Sequence, residues 1–334
     1  MMSSNLLAQQ NRARFIPGNP GGHYESYFQR ANHPARPLAF WIRYTVFSPK
    51  GRPEAAVGEL WAIYFDGEAG RITTAKQVSP IADCSFSPGG LDVRIGDSVL
   101  HDGSLQGGAA SSGHHLAWQL SYAGDQPPLL LLPEAYYVRG FPKAKALVGT
   151  PNAVYHGTLH VDGRQVDIDG WTGSQNHNWG SRHTDLYAWG QVAGFDDAPD
   201  AFLELSTARV KIGPLWIPWM TLVVLRLDGV EYALNSMTQA LRARGRFEYF
   251  TWRFDTRTEQ ARLTGVISAP PEWFVGLHYD NPPGERKTCL NTKLARCQLI
   301  LERPGQPTRR LLAQHRAAFE ILTDDSRHGI EIVA

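Results

Sequence analysis

The sequence predicts a nearly all-β chain built from antiparallel barrels or curved sandwiches. Three observations carry this. First, residues 38–46 alternate: Leu38, Phe40, Ile42, Tyr44 and Val46 fall on one face and Trp41, Arg43 and Thr45 on the other, the period of a strand. Second, Asp-Gly pairs break such segments at Asp66-Gly67, Asp102-Gly103, Asp162-Gly163 and Asp228-Gly229. Residues 156–170 and 221–234 therefore read as tight hairpins. Third, no long helical period is present. Residues 237–244 suit two helical turns at most, and residues 310–322 fit an amphipathic helix or a strand.

A length of 334 residues leads us to expect about two domains. The polar stretch Asp196-Asp197-Ala198-Pro199-Asp200 is the best boundary between units at 15–195 and 196–334, and it reads equally as a hairpin loop. Hydrophobic residues make up 43% and aromatic residues 11%, enough for a large core. The 33 basic and 32 acidic residues nearly cancel. That balance argues against a nucleic-acid partner and against an electrostatic membrane anchor, and leaves room only for a transient membrane-surface contact.

Residues 1–14 hold one apolar pair, Leu6-Leu7, and so lack the core of a signal peptide. The longest aliphatic run, residues 129–132, is far short of the ~20 residues of a spanning helix. Three cysteines without a pairing framework, Cys84, Cys289 and Cys297, point to a reducing, cytoplasmic setting. No thiolate zinc motif occurs, and His156, His160 and the adjacent His114-His115 lack carboxylates at ligand spacing. No metal and no cofactor are expected.

The candidate site is the stretch Trp171-Thr172-Gly173-Ser174-Gln175-Asn176-His177-Asn178-Trp179-Gly180-Ser181, followed by Trp189-Gly190-Gln191. So many indoles with a few amides and one imidazole suit the wall of a mostly apolar pocket. Asn176 and Asn178 also fit a turn, and the tryptophans also fit a barrel core. Glu25 and Arg43 are expected to form a structural ion pair.

The order of motifs resembles the carotenoid 1,2-hydratase and AttH-like proteins, distant relatives of tocopherol cyclases and of some fungal Diels–Alderases. The pieces that carry it are His23-Tyr24-Glu25-Ser26-Tyr27-Phe28, Phe40-Trp41-Ile42-Arg43-Tyr44-Thr45, Gly58-Glu59-Leu60-Trp61, Asn176-His177-Asn178-Trp179-Gly180 and Trp189-Gly190-Gln191. Two later segments, 273–280 and 289–295, also match and are expected to line or cap the second unit. The resemblance implies a tandem of two lipocalin-like antiparallel β-barrels around a hydrophobic ligand. It further implies a His-x-Trp pair followed on a later strand by Tyr-x-Asp. His177-Asn178-Trp179 matches the first pattern. Phe202-Leu203-Glu204 is the nearest match to the second and departs at both positions.

The residues themselves support acid–base chemistry on an alkene. A carboxylic acid in an apolar cavity keeps its proton near neutral pH, and aromatic faces stabilise a developing cation. In this reading Glu204 is the proton donor, His177 the base or orienter, and Trp179 the aromatic shield. Trp171, Asn178, Trp189, Gln191 and Phe202 contact the substrate. The expected partner is thus a hydrophobic small molecule, isoprenoid- or polyketide-like, bound with little salt dependence. Two other classes compete: a non-catalytic carrier of a hydrophobic molecule, and a carbohydrate-active protein using Asp185 and Glu204. The discriminating observation is whether Glu204 and His177 face one cavity.

Overall fold

The computed structural model describes residues 11–334, and 63% of those residues are strand. Leu6-Leu7 lies outside the described residues. The strands from His23 to Gly180 in the chain form a twelve-stranded antiparallel sheet, and ten of those from Leu186 to Thr323 form a second; in each sheet the first and last strands along the chain pair as neighbours. The Asp-Gly pairs act as expected. Asp162 and Gly163 have φ of 51° and 80°, and Asp228 and Gly229 have 52° and 75°. Two left-handed residues in succession make the turn whose twist suits a hairpin. Val161 then pairs Arg164, and Leu227 pairs Val230.

The first sheet curls almost into a closed barrel. Its strand Arg71–Pro80 returns against Ser104–Ser111, where the Lys76 amide donates to Ser111 Oγ at 2.9 Å. Tyr27, Phe40, Tyr44, Trp118, Tyr155 and Trp171 fill the interior. The second sheet encloses Trp252, Phe254, Leu263 and Phe319. The ambiguous residues 310–322 lie in the strand Arg309–Thr323. The short helix is Met237–Arg242, capped by Ser236, whose Oγ accepts from the Gln239 amide. No helix among the described residues is long and apolar enough to cross a membrane.

The change of sheet falls between Gly180 and Leu186, ahead of the expected boundary at 195/196. Asp196 and Asp197 form the turn joining Leu186–Phe195 to Ala198–Arg209 inside the second sheet. A hairpin turn and an interdomain linker draw on the same polar residues, so composition at this point fits both.

The strands that matter for function sit where the sheets meet. His23–Asn32 pairs Arg164–Gly180, with Tyr27 opposite His177. One face of this pair fills the first barrel; the other meets the second sheet. Phe28, Trp41 and Trp61 pack there with Leu277, Tyr279 and Leu322, and Leu129 and Leu131 pack with Phe202, Leu222 and Val224.

Candidate active site between the two sheets

Glu204 lies on the strand Ala198–Arg209, on the face of the second sheet turned toward the first, and is 3% exposed. Its Oε1 accepts from Trp189 Nε1 at 2.7 Å and its Oε2 from Gln191 Nε2 at 2.8 Å. Both donors lie on the neighbouring strand Leu186–Phe195. The residue between them must be small. A Cβ at Gly190 would stand 2.7 Å from Ile267 Cδ1 and 3.0 Å from the Trp252 ring. Alternation along a strand sends Trp189 and Gln191 to one side, while Gly190 leaves room for the barrel core on the other.

The Gln191 amide cannot be turned around. Its Oε1 accepts from Arg30 Nε at 2.7 Å and from Ser174 Oγ at 2.6 Å, so its NH2 must face Glu204 and Asn176 Oδ1, the latter at 2.8 Å. Arg30 is fully buried, held also by Asn32 Oδ1 at 2.7 Å. Burial pulls its guanidinium down to about 10, still charged at neutral pH. One buried cation thus orients the donor that meets the acid from the far side of the sheet interface.

Burial is the dominant influence on Glu204 and pushes its carboxyl up to about 7, against the opposing pull of Trp189, Gln191 and Arg30; nearby Glu320 adds to the rise. At neutral pH a large share of Glu204 is therefore a neutral acid. Trp189 and Gln191 are both donors, so neither takes the acid's proton. That proton is available to a ligand.

Such a ligand has a place to sit. A cavity of about 190 Å³ opens beside Glu204, walled by Phe28, Trp189, Tyr187, Leu131, Met220 and Leu222. Polar groups on its wall include Asn176, Asn178, Ser206, His183 and Glu320. The His183 ring stacks on Tyr24 at 3.9 Å, and burial, then the Arg43 charge, push it down to about 3, which leaves it neutral. Glu320 is matched by Lys293 Nζ at 2.8 Å and Asn291 Nδ2 at 3.1 Å.

His177 does not join Glu204. Consecutive strand residues face opposite ways, and Asn176 is the one on the Gln191–Glu204 side. His177 is among the residues that line the cavity, but its imidazole packs on Tyr27 of the first-barrel core, at 4.1 Å. Its Nε2 meets Glu25 Oε1 at 2.8 Å. Both side chains are fully buried. The expected acid–base pair makes no direct hydrogen bond: His177 is bonded to Glu25, and Glu204 to Trp189 and Gln191.

Glu25 is a structural hub. It accepts from the Arg14 amide at 2.8 Å and the Phe15 amide at 2.8 Å, meets His23 Nε2 at 3.1 Å, and receives the Tyr27 hydroxyl at 3.3 Å. Burial raises its carboxyl, but the hydrogen bonds and charges of His177 and His23 outweigh this and hold it well below the usual range. The expected Glu25–Arg43 pair does not form. Arg43 Nη2 instead donates to Ser26 Oγ at 2.6 Å and its guanidinium lies 4.5 Å over the Tyr279 ring. Ser26 and Glu25 point to opposite faces of one strand, and Arg43 follows Ser26.

Among the other expected contacts, Asn178 and Trp189 line the cavity, and Gln191 positions the acid. Trp171 is core of the first barrel, against Phe40 at 6.1 Å. Trp179 shares the His177 face, with the Arg14 guanidinium 3.6 Å over its ring, and the aromatic side chains beside Glu204 are Trp189 and Phe28. Phe202 packs beneath the cavity with Leu222 and Val224. Asn176 and Asn178 are interior strand residues rather than turn residues. Asp185 bonds Arg182 Nη2 at 2.6 Å and the Lys211 amide at 2.8 Å, and forms no pair with Glu204. Arg30, His183 and Glu320 went unseen in the sequence; only an arginine and an acid within apolar strands could have marked Arg30 and Glu320.

No protein-family model matches the chain. Two uncharacterized proteins of Mycobacterium tuberculosis, Rv0493c and MT0513, are each 25% identical to it over 274 residues, 82% of this chain and 80% of theirs. Among solved structures, an AttH-type protein of Nitrosomonas europaea superposes with a TM-score of 0.55 at 14% identity, covering 94% of this chain and 97% of that one. Kievitone hydratase of Nectria haematococca gives 0.56 at 10% identity, covering 96% and 93%. CghA, solved with Sch210972, gives 0.51 at 12% identity, covering 94% of each. At these identities the likeness is one of fold. The chain has the tandem lipocalin-like fold of the AttH-like proteins.

Proposed function

We propose that this protein is a hydratase- or cyclase-like enzyme that protonates an alkene of a hydrophobic small molecule, with Glu204 as the acid. The observation that carries the reading is a carboxyl buried in an apolar cavity, raised to about 7, and held only by donors. Two fold neighbours support the chemical class, one named a hydratase and the other solved with a small molecule. The Glu204 O–H bond breaks as a carbon–hydrogen bond forms. The resulting carbocation lies against Trp189 and Phe28, each face contributing roughly 0.5–2 kcal/mol. Water or an internal nucleophile of the substrate closes the sequence, and the proton it releases restores the acid.

A cavity of about 190 Å³ is below the ~300–1,000 Å³ usual for whole ligands. Only the reacting end of a polyprenyl or polyketide chain fits, with the remainder passing out beside Phe141, which both lines the cavity and is 44% exposed. Free Cys84, Cys289 and Cys297 support a reducing, cytoplasmic setting. A non-catalytic carrier keeps one argument: His177, expected as base, is spent on Glu25.

The test begins with mass spectrometry of an organic extract of the purified protein. The recovered compound class is then incubated with the protein in D2O. Turnover is expected to place one deuterium on carbon. Product without carbon-bound deuterium, or a ligand held indefinitely without conversion, would exclude proton-first chemistry and favour the carrier.

A further inference from the structure

The wall of the cavity opens onto an unusual surface. Six large apolar residues that the described chain leaves exposed come from three segments bordering the cavity. Val138 (89% exposed) and Phe141 (44%) lie on one, Ile212 (57%), Leu215 (72%) and Trp219 (38%) on a second, and Leu241 (50%) on the helix Met237–Arg242. Each segment reaches the cavity itself: Phe141, Pro142 and Lys145 line it from the first, Val210 and Met220 from the second, and Met237 from the helix. Ile16, Val78, Val154, Val230 and Val333 are exposed on other segments, but these six are gathered on the segments that form the mouth, and such a gathering marks an interaction site.

The charge at this mouth is mostly basic. Residues 134–145 contain Arg139, Lys143 and Lys145 against one acid, Glu134; residues 208–220 contain Arg209 and Lys211 and no acid. Arg139, Lys143 and Lys211 are exposed, and none has a carboxylate within ion-pair distance among the described residues. Lys211 Nζ instead lies 4.7 Å over the Trp216 ring, and Arg209 4.9 Å over the same ring. Nearby Asp185 is buried and already taken by Arg182. The near-zero charge of the whole chain hides this concentration.

We propose that the cavity mouth docks on an anionic lipid surface, with Val138, Phe141, Leu215 and Trp219 entering the interface and Arg139, Lys143 and Lys211 meeting lipid headgroups. Amphipathic indoles and basic side chains around apolar tips are the chemistry of an interfacial anchor. The geometry would let a hydrophobic substrate pass from bilayer to cavity without crossing water. The inference rests on the reading that the cavity takes a hydrophobic molecule, and not on Glu204 being an acid.

The test is flotation of the full chain with vesicles of phosphatidylcholine alone or mixed with phosphatidylglycerol. Binding is expected to the anionic vesicles, to fall as salt rises, and to drop by at least about a hundredfold when Arg139, Lys143 and Lys211 are all changed to Glu, given roughly a fivefold effect per basic residue at such a surface. Leu215→Ser with Val138→Ser should weaken binding without altering its salt dependence. Glu204→Gln should float as wild type does, which separates failure of the docking idea from failure of the acid chemistry. Equal behaviour of wild type and the triple variant would overturn the proposal. So would flotation indifferent to phosphatidylglycerol, or concentration-dependent dimers in sedimentation that Leu215→Ser abolishes, since a second copy would then cover the face.

Discussion

Glu204→Gln is expected to lower turnover by ~10²–10⁴-fold, the scale of general acid catalysis, while ligand affinity stays nearly unchanged. Glutamine keeps the shape and can still accept from Trp189, but it has no acidic proton, and its NH2 meets the Gln191 NH2, donor against donor. A second consequence needs no substrate. The folded protein holds the Glu204 carboxyl near 7 against an ordinary 4.5, so between these values the folded state binds more protons than the unfolded one. Stability from this group is therefore fully present below about pH 4.5, declines as pH rises, and levels off above 7 at a cost on the order of 3 kcal/mol. Glu204→Gln removes that cost. The variant should therefore compare better with wild type in thermal stability at pH 8 than at pH 5. Denaturation followed at both pH values checks it; a variant destabilised equally at each would contradict it.

Glu25→Ala is expected to cost about 3–5 kcal/mol of stability, the range for removing one member of a buried pair. The deletion removes the carboxylate that meets His177 inside the barrel and releases the amides of Arg14 and Phe15 together. Because the folded carboxyl lies below its ordinary 4.5, the stability it contributes is fully present above that pH and is lost as pH falls beneath it. Wild type should show this acid-side loss and Glu25→Ala should lack it. Urea denaturation at pH 7 and pH 4 is the measurement. A cost below about 1 kcal/mol, or an unchanged acid slope, would show that the hub is not structural.

What the sequence made legible was local. Asp162-Gly163 and Asp228-Gly229 fix their hairpins by their own backbone preferences, and strand alternation in residues 38–46 follows from burial of one face. Glu204 was legible as an acid among apolar neighbours. The rest depends on pairings far apart in the chain. Whether His177 or Asn176 meets the second sheet is decided by a register in which Tyr27 faces His177, and a one-residue change would exchange them. The Arg30–Gln191 bond joins residues 161 apart; nothing in either neighbourhood announces it. The basic mouth escaped notice for a related reason, since net charge sums over surfaces that never meet.

The central claim is that Glu204 is a neutral acid near pH 7 inside a ligand cavity. Infrared difference spectroscopy of wild type against Glu204→Gln, titrated with pH, tests it most directly. A protonated-carboxyl carbonyl band present in wild type, absent in the variant and vanishing with a midpoint of about 7 is the result this account predicts. A band already lost by about pH 5, as for an ordinary exposed glutamate, would contradict it.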